Sequence, residues 1–514
     1  MKTPSNELFE LIRSMNGSEK RFFKLFSSHL SDTNDSKNYI KLFDAIAKQK
    51  RHDEKSLKND FKNDPFLNNF SKSKNYLSDS ILKSLEVYHR HENADSIIQS
   101  ELRRAGILFD KHLFDQAEKH IKKAKQTALE HEKYNYLAAI SNWEITLLEK
   151  DLNAKKIKAY LDIETNKQAN YLNYIENGLE YRRLSLQLNL LNQDRSQKKI
   201  SQKLSAFRKH KLLISPDKAI TFSSLHYYYS INFVCSLLSE EPVSKTYKKQ
   251  REWIEYLERN KSRLVERKSY YLMALSYMIA LWGINKNITK MGYYFNKAIA
   301  FFNSLPVKEK DKDSFLKLRS IANNYMSSHL RVCNAQKALT AWEEMKKTSD
   351  HTGVKKENDI LEQANLFFAH FLLGQYREAL QCANTIINTK DTGRIDIQHQ
   401  ARLYALVIHY ELGHLDVSPY IVKTIKKDLL KHAKKITKYD ACILYYFEKK
   451  ITMIADKKSE PEIFNLLKTE LNLLPKKSLL YPASEKMFDL SDWIQSKIEG
   501  RLYADIVKEK ANVR

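Results

Sequence analysis

The sequence predicts an all-α chain, and three observations carry that prediction. Only 10 glycines and 9 prolines occur in 514 residues, so most of the punctuation that sheets and long loops need is missing. Apolar residues recur at helical spacing over nearly the whole length. Short breaks at Asn16-Gly17, Asp64-Pro65, Pro216, Pro242, Gly374 and Gly413 divide that pattern into helices. No Ser/Gly-rich linker separates the stretches, which predicts one extended body.

Residues 1–92 form the first region. Residues 6–15 read as a short amphipathic helix stopped at Asn16-Gly17. Ser18 then stands as an N-cap, with Arg21 where a capping box would have Glu or Gln. The following helix has Phe22, Phe23, Leu25 and Phe26 to bury. Helices over 39–49 (Leu42, Phe43 and Ile46 inward), 54–61 and 70–91 come next. With Lys58, Lys62, Lys72, Lys74 and Lys83 among them, two readings stay open. One is a helix-turn-helix-like module. The other is a cap over the first apolar face of a repeat array, favoured because the defining turn of a helix-turn-helix is not evident.

From residue 93 onward helices pair. Helix patterns over 102–109 and from Phe114 lead into patterns over 136–148, 155–165, 173–191 and 196–213. The longest run without charge, 219–239 (AITFSSLHYYYSINFVCSLLS), is nearly long enough to span a membrane. Its Ser, Thr, Asn and His residues fit a buried inner helix better, so no membrane span is expected. Further patterns cover 245–260, 270–282, 288–302, 315–331, 335–347 and 401–412. After Gly413, Ser418 and Pro419 read as an N-cap followed by proline at the first helical position.

The stretch 361–387, LEQANLFFAHFLLGQYREALQCANTII, turns tightly at Gly374, where glycine escapes the penalty of the left-handed conformation. Its second helix sets Ala379 and Ala383 against the first, flanked by Leu380 and Ile387. The opening Gly374-Gln375-Tyr376-Arg377-Glu378-Ala379 resembles the second helix of the tetratricopeptide repeat (TPR). Ala117, Ile121 and Ala124 fill the same positions with His112 in place of the glycine. Phe295 and Ala298, then Ala338 and Trp342, do so again. Ala338, Ala379 and Ser418 are spaced by 41 and 39 residues, more than the roughly 34 of a standard repeat.

The resemblance therefore implies a right-handed TPR-like α-α superhelix, a solenoid with N- and C-terminal capping helices. Degenerate repeats would cover 93–260, TPR-like repeats 261–438, and C-terminal helices with a cap 439–514. The layout and the SEKRFFKLF opening also resemble bacterial repeat proteins, a likeness that brings no activity with it.

Residue inventory excludes several functions. No Gly-rich phosphate loop, nucleophile elbow or spaced Cys/His quartet occurs. His409 and His414 are five apart, with Gly413 between them ending the helix, so they do not make a zinc-helix motif. The expectation is a non-enzyme with no catalytic, cofactor or metal residues. Cys235, Cys333, Cys382 and Cys442 lie far apart in apolar helical patterns, and the N-terminus lacks a secretory segment. Both point to a reducing cytoplasm.

Two surfaces remain. In the TPR family the first helix of each pair lines a concave groove. Carried over, those positions are Leu361, Ala364, Phe368, Phe371 and Leu372, then Gln400, Leu403, Val407, Tyr410 and Glu411. Such an apolar groove suits an amphipathic helix or extended segment of a protein partner; the bland alternative is that the stripe packs on its own neighbours.

The net charge of +25 comes from 87 Lys and Arg against 62 Asp and Glu, which draws polyanions or simply solvates the surface. Its densest stretches are Arg195, Lys198, Lys199, Lys203, Arg208, Lys209 and Lys211, and the row Lys423, Lys427, Lys431, Lys434 and Lys438. That row shares one face if a single helix continues through it. The expected role is a protein-interaction scaffold. The alternative is a nucleic-acid-binding regulator using residues 1–92 or the basic faces. The pattern leaves the oligomeric state open.

Overall fold

The computed structural model describes residues 6–30, 34–62, 64, 69–193, 197–239, 241–260, 264–349, 359–389, 395–433, 435–453, 459–475 and 488–513. Among these residues there are 24 α-helices and no strand. They form two compact units, Met1–Ile231 and Asn232–Arg514. No linker marks the division, which falls inside a helix.

In the first unit, α1 (Glu7–Ser14), α2 (Gly17–Leu30), α3 (Asn34–Lys48), α4 (Glu54–Asp60) and α5 (Phe70–His89) share a core. Ile12, Phe23, Leu42, Phe43, Leu57, Leu77 and Ile81 fill it. The N-cap of α2 is Asn16, not Ser18. Its Oδ1 accepts from the amides of Ser18 and Glu19 at 2.9 Å, and Glu19 Oε2 reaches back to the Asn16 amide at 2.7 Å. This is a complete capping box, two residues earlier than the sequence reading placed the cap.

Next come α6 (Ala94–Asp110), α7 (Phe114–Glu130) and α8 (Tyr134–Asp151), whose core holds Ile98, Ala105, Ile121, Ala124, Leu137 and Ile140. Residues 155–165 and 173–191 are not two helices. One 40-residue helix, α9 (Ala154–Gln193), runs through both. The intervening TNKQANY contains neither Gly nor Pro, so its polar residues do not break the helix, and Asn166, Lys167 and Asn170 are simply exposed on it. After α10 (Gln197–Arg208), His210 and Ser215 cap two short 3-10 turns, Lys211–Leu213 and Pro216–Lys218.

The helix α11 (Phe222–Leu238) carries the uncharged run. No described helix is long and apolar enough to cross a membrane. The second unit continues with α12 (Val243–Arg259), α13 (Lys268–Ile284), α14 (Ile288–Ser304), α15 (Lys312–Arg331), α16 (Ala335–Ser349), α17 (Ile360–Leu372), α18 (Tyr376–Asn388) and α19 (Ile395–Glu411). Here α13 packs on α14 and α15, α15 on α16 and α17, and α17 on α18 and α19. Each first helix thus touches its own second helix and the first helix of the next pair, an arrangement compatible with a helical-repeat fold.

One turn recurs. His112, Glu132, Lys286, Cys333, Gly374, Gly413 and Gly500 all have positive φ, between 51° and 75° with Leu152 included. The amide after each of these seven donates to the carbonyl five residues back, as Asn287 does to Trp282 and Gln375 to His370, both at 2.9 Å. This is the Schellman closure of a helix.

The last helices are α20 (Ser418–Ala433), α21 (Lys438–Tyr445), α22 (Glu460–Leu473), α23 (Leu490–Glu499) and α24 (Tyr503–Val513). The last two helices are separated where Gly500 adopts φ 63°. Ser418 is no N-cap either: it is already helical, follows a 3-10 turn (Leu415–Val417), and its buried hydroxyl has no partner among the described residues.

Candidate functional site: a cleft across three first helices

The first helices α15, α17 and α19 lie side by side, so residues one turn apart on each face the same space. That space is a cleft of about 520 Å³. Leu361, Ala364 and Phe368 of α17 form its apolar floor, with Tyr404 of α19 and Phe488 closing one side. Asn323, Asn324, Ser327 and Arg331 of α15 and Gln400 of α19 supply the polar wall. Asn365 Nδ2 donates to the Asn323 carbonyl at 3.2 Å, and Asn324 Nδ2 to Ser276 Oγ at 2.9 Å. The Asn323 Oδ1 is buried without a partner among the described residues. Nearby, Arg319 Nε donates to Glu362 Oε2 at 2.6 Å, a buried pair that ties α15 to α17.

The other groove candidates are occupied by the chain itself. Phe371 packs edge-on against Phe488 and Tyr503, with centroids 5.0 and 5.3 Å away. Tyr410 meets the edges of Phe464 and Trp493 at 5.5 Å and donates its hydroxyl to Glu460. Lys497 pairs with Glu411 at 2.6 Å, and Trp493 Nε1 donates to the same carboxylate at 2.5 Å. Leu372, Leu403 and Val407 are buried. Burial and the neighbouring carboxylates raise the Tyr410 hydroxyl's pKa well above its ordinary value, so it stays a donor. Of the ten groove candidates, the structure thus brings Leu361, Ala364, Phe368 and Gln400 to the open cleft. Helices α22–α24 and Phe488 cover Phe371 and Tyr410. Residues 54 to 132 positions away in sequence carry no local signal that would have announced this.

The lysine row is divided. The helix α20 ends at Ala433, Lys434 lies outside the described residues, and Lys438 opens α21 behind the N-cap Thr437. Lys423, Lys427 and Lys431 do share one exposed face of α20, opposite buried Val422, Ile425 and Leu429. In the other basic stretch, Arg195 lies outside the described residues, as does the side chain of Lys199; Lys203 is exposed and Arg208 half-buried. Among the lysines of 1–92, Lys58 and Lys74 both pair with Glu54, and Lys83 with Asp79.

Gly413 folds the chain back so that the His409 and His414 rings lie 5.7 Å apart. Burial and the second ring hold the His409 pKa down. No group of three metal-ligating side chains exists among the described residues. Compared with family models, curated proteins and solved structures, the chain matches none.

Proposed function

We propose that this chain is a non-enzymatic interaction scaffold, a TPR-like right-handed superhelix that holds a polypeptide segment in the cleft between α15, α17 and α19. One observation carries the reading: an apolar floor of Leu361, Ala364 and Phe368 faces a wall of amide side chains that includes the unpartnered Asn323 Oδ1. A peptide backbone presents donors and acceptors in alternation, and Asn and Gln offer both. The apolar floor takes its side chains. Helices α22–α24 act as the C-terminal cap. The separate core of α1–α5 fits a module at the other end, and the four free cysteines fit a reducing cytoplasm.

The test is selection from a random peptide library on the immobilised full chain, followed by affinity measurement on Ala364→Arg, which fills the half-buried floor. Enriched peptides should lose at least about tenfold in affinity, 1.4 kcal/mol. Equal binding to the variant, at unchanged helicity, would remove the cleft from the account.

A second reading, nucleic-acid binding, draws on how the acids nearest the lysine row, Asp428 of α20 and Glu448 just after α21, are taken up. Asp428 pairs inward with Arg402 at 2.7 Å, and Glu448 is taken by Lys426 at 2.7 Å. Exposed Lys423, Lys427, Lys431, Lys435 and Lys438 form no ion pair among the described residues. Binding of mixed duplex and single-stranded nucleic acid across a salt series tests it. A steep salt dependence lost on changing these lysines to glutamine would favour this reading over the first.

A further inference from the structure

The 40-residue α9 carries leucines on two opposite faces, one of them buried and the other exposed. Tyr181, Leu184 and Leu188 face inward and are buried. On the other side Leu172, Leu179, Leu186 and Leu190 are 63, 45, 64 and 67 % exposed. At 100° per residue all four fall within about 40° of one another, in a stripe ~27 Å long. Single exposed leucines are ordinary. A straight row at seven-residue spacing along the longest helix is the seam of a helix pair.

The flanking charges indicate what covers it. Glu176 and Arg183 lie on the same side of the seam, one before Leu179 and one after it. Glu176 is exposed and has no ion pair among the described residues. Arg183 leans on its own Glu180, and its side chain is 68 % exposed. Two copies of α9 laid antiparallel about Leu179 would set Leu172 of each beside Leu186 of the other. The same operation sets Glu176 of each beside Arg183 of the other. An isologous two-fold contact requires this self-complementarity, whereas an unrelated partner would not.

We infer that the chain forms an antiparallel homodimer through the outer face of α9, with Leu172, Leu179 and Leu186 as the seam. The inference is independent of the cleft and of what binds there. It is tested by sedimentation velocity on the full chain across a concentration series, with thermal melts to confirm folding of each variant. These leucines lie outside the buried core, so Leu179→Glu with Leu186→Glu should melt close to the wild type. Its dimer dissociation constant should rise at least about a hundredfold.

Glu176→Arg alone should weaken the dimer about tenfold, as should Arg183→Glu alone. The double exchange should return it to within about threefold of wild type, since it restores both cross-copy pairs. A wild-type chain that stays at its 60.5 kDa monomer mass at every concentration overturns the inference. So does a dimer indifferent to the leucine changes, or an exchange whose two losses simply add.

Discussion

Gly283 of α13 and Ser328 of α15 are in direct backbone-to-side-chain apposition: a Cβ placed on Gly283 would lie 2.0 Å from Ser328 Oγ and 2.8 Å from Ser328 Cβ. The two first helices approach this closely because one of them has no side chain at the crossing. Asn324 strengthens the same contact by donating to Ser276. Gly283→Ala should therefore force the helices apart and destabilise the second unit by about 1–3 kcal/mol, the usual penalty of overpacking. Chemical denaturation reads the loss. Adding Ser328→Gly should recover most of it, whereas a loss untouched by that second change would place the cause elsewhere.

The recurring left-handed turn makes a prediction of opposite sign at different positions. Gly374 has φ 70° with open space around its missing Cβ, so Gly374→Ala meets backbone strain alone and should cost about 1 kcal/mol. His112 and Lys286 already carry that strain, at φ 60° and 53°, and both are exposed. His112→Gly and Lys286→Gly should each stabilise by about 0.5–1 kcal/mol, less than the full relief because glycine also loosens the unfolded chain. Denaturation midpoints of the three variants check the pattern.

The same turn shows why the fold was only partly legible in the sequence. Where glycine makes it, at Gly374 and Gly413, the break is visible in the sequence. At Glu132 and Cys333 an ordinary residue makes the identical turn and leaves no mark. The all-α class needed none of these details, because it follows from spacing and from missing breakers. Continuity of α9 was misjudged for the opposite reason: polar residues without Gly or Pro are a solvated helical turn. The end of α20 was legible in principle. Thr437 with Asp440 is a capping pair, and it bonds as one, with the Asp440 amide donating to Thr437 Oγ1 at 3.1 Å. The covering of Phe371 and Tyr410 was not legible, since long-range contacts have no periodicity to read.

That covering has a measurable strength. Trp493 is fully buried, lies edge-on to Phe464 at 5.2 Å and stacks near Phe447 at 6.0 Å. Trp493→Ala removes this anchor and should cost about 3–5 kcal/mol. Loss of the α23 contacts would also bare the apolar face around Tyr410, so binding of a hydrophobic dye should rise in native buffer. Trp493→Phe keeps one aromatic ring but loses the rest of the indole and its bond to Glu411, and should fall between wild type and Trp493→Ala. A variant melting like the wild type would mean that α23 contributes little to the fold.

Buried His329 links stability to pH. It is 1 % exposed, neither ring nitrogen has a hydrogen-bond partner among the described residues, and Tyr325 meets it edge-on at 4.5 Å. Burial, with Lys337 adding repulsion, brings its pKa down to about 4 from an ordinary 6.5. The folded chain therefore refuses a proton that the unfolded chain accepts. Above pH 6.5 the residue is neutral in both states and adds no slope. As pH falls from 6.5 toward 4 only the unfolded state gains the proton, so stability drops by up to about 1.4 kcal/mol per pH unit, roughly 3 kcal/mol in all. His329→Leu removes this group while leaving every other titration in place. The difference in unfolding free energy between wild type and variant should be flat above pH 7 and should turn steadily in the variant's favour between pH 6.5 and 4. A difference independent of pH across that interval would mean that His329 finds its proton in the folded chain after all.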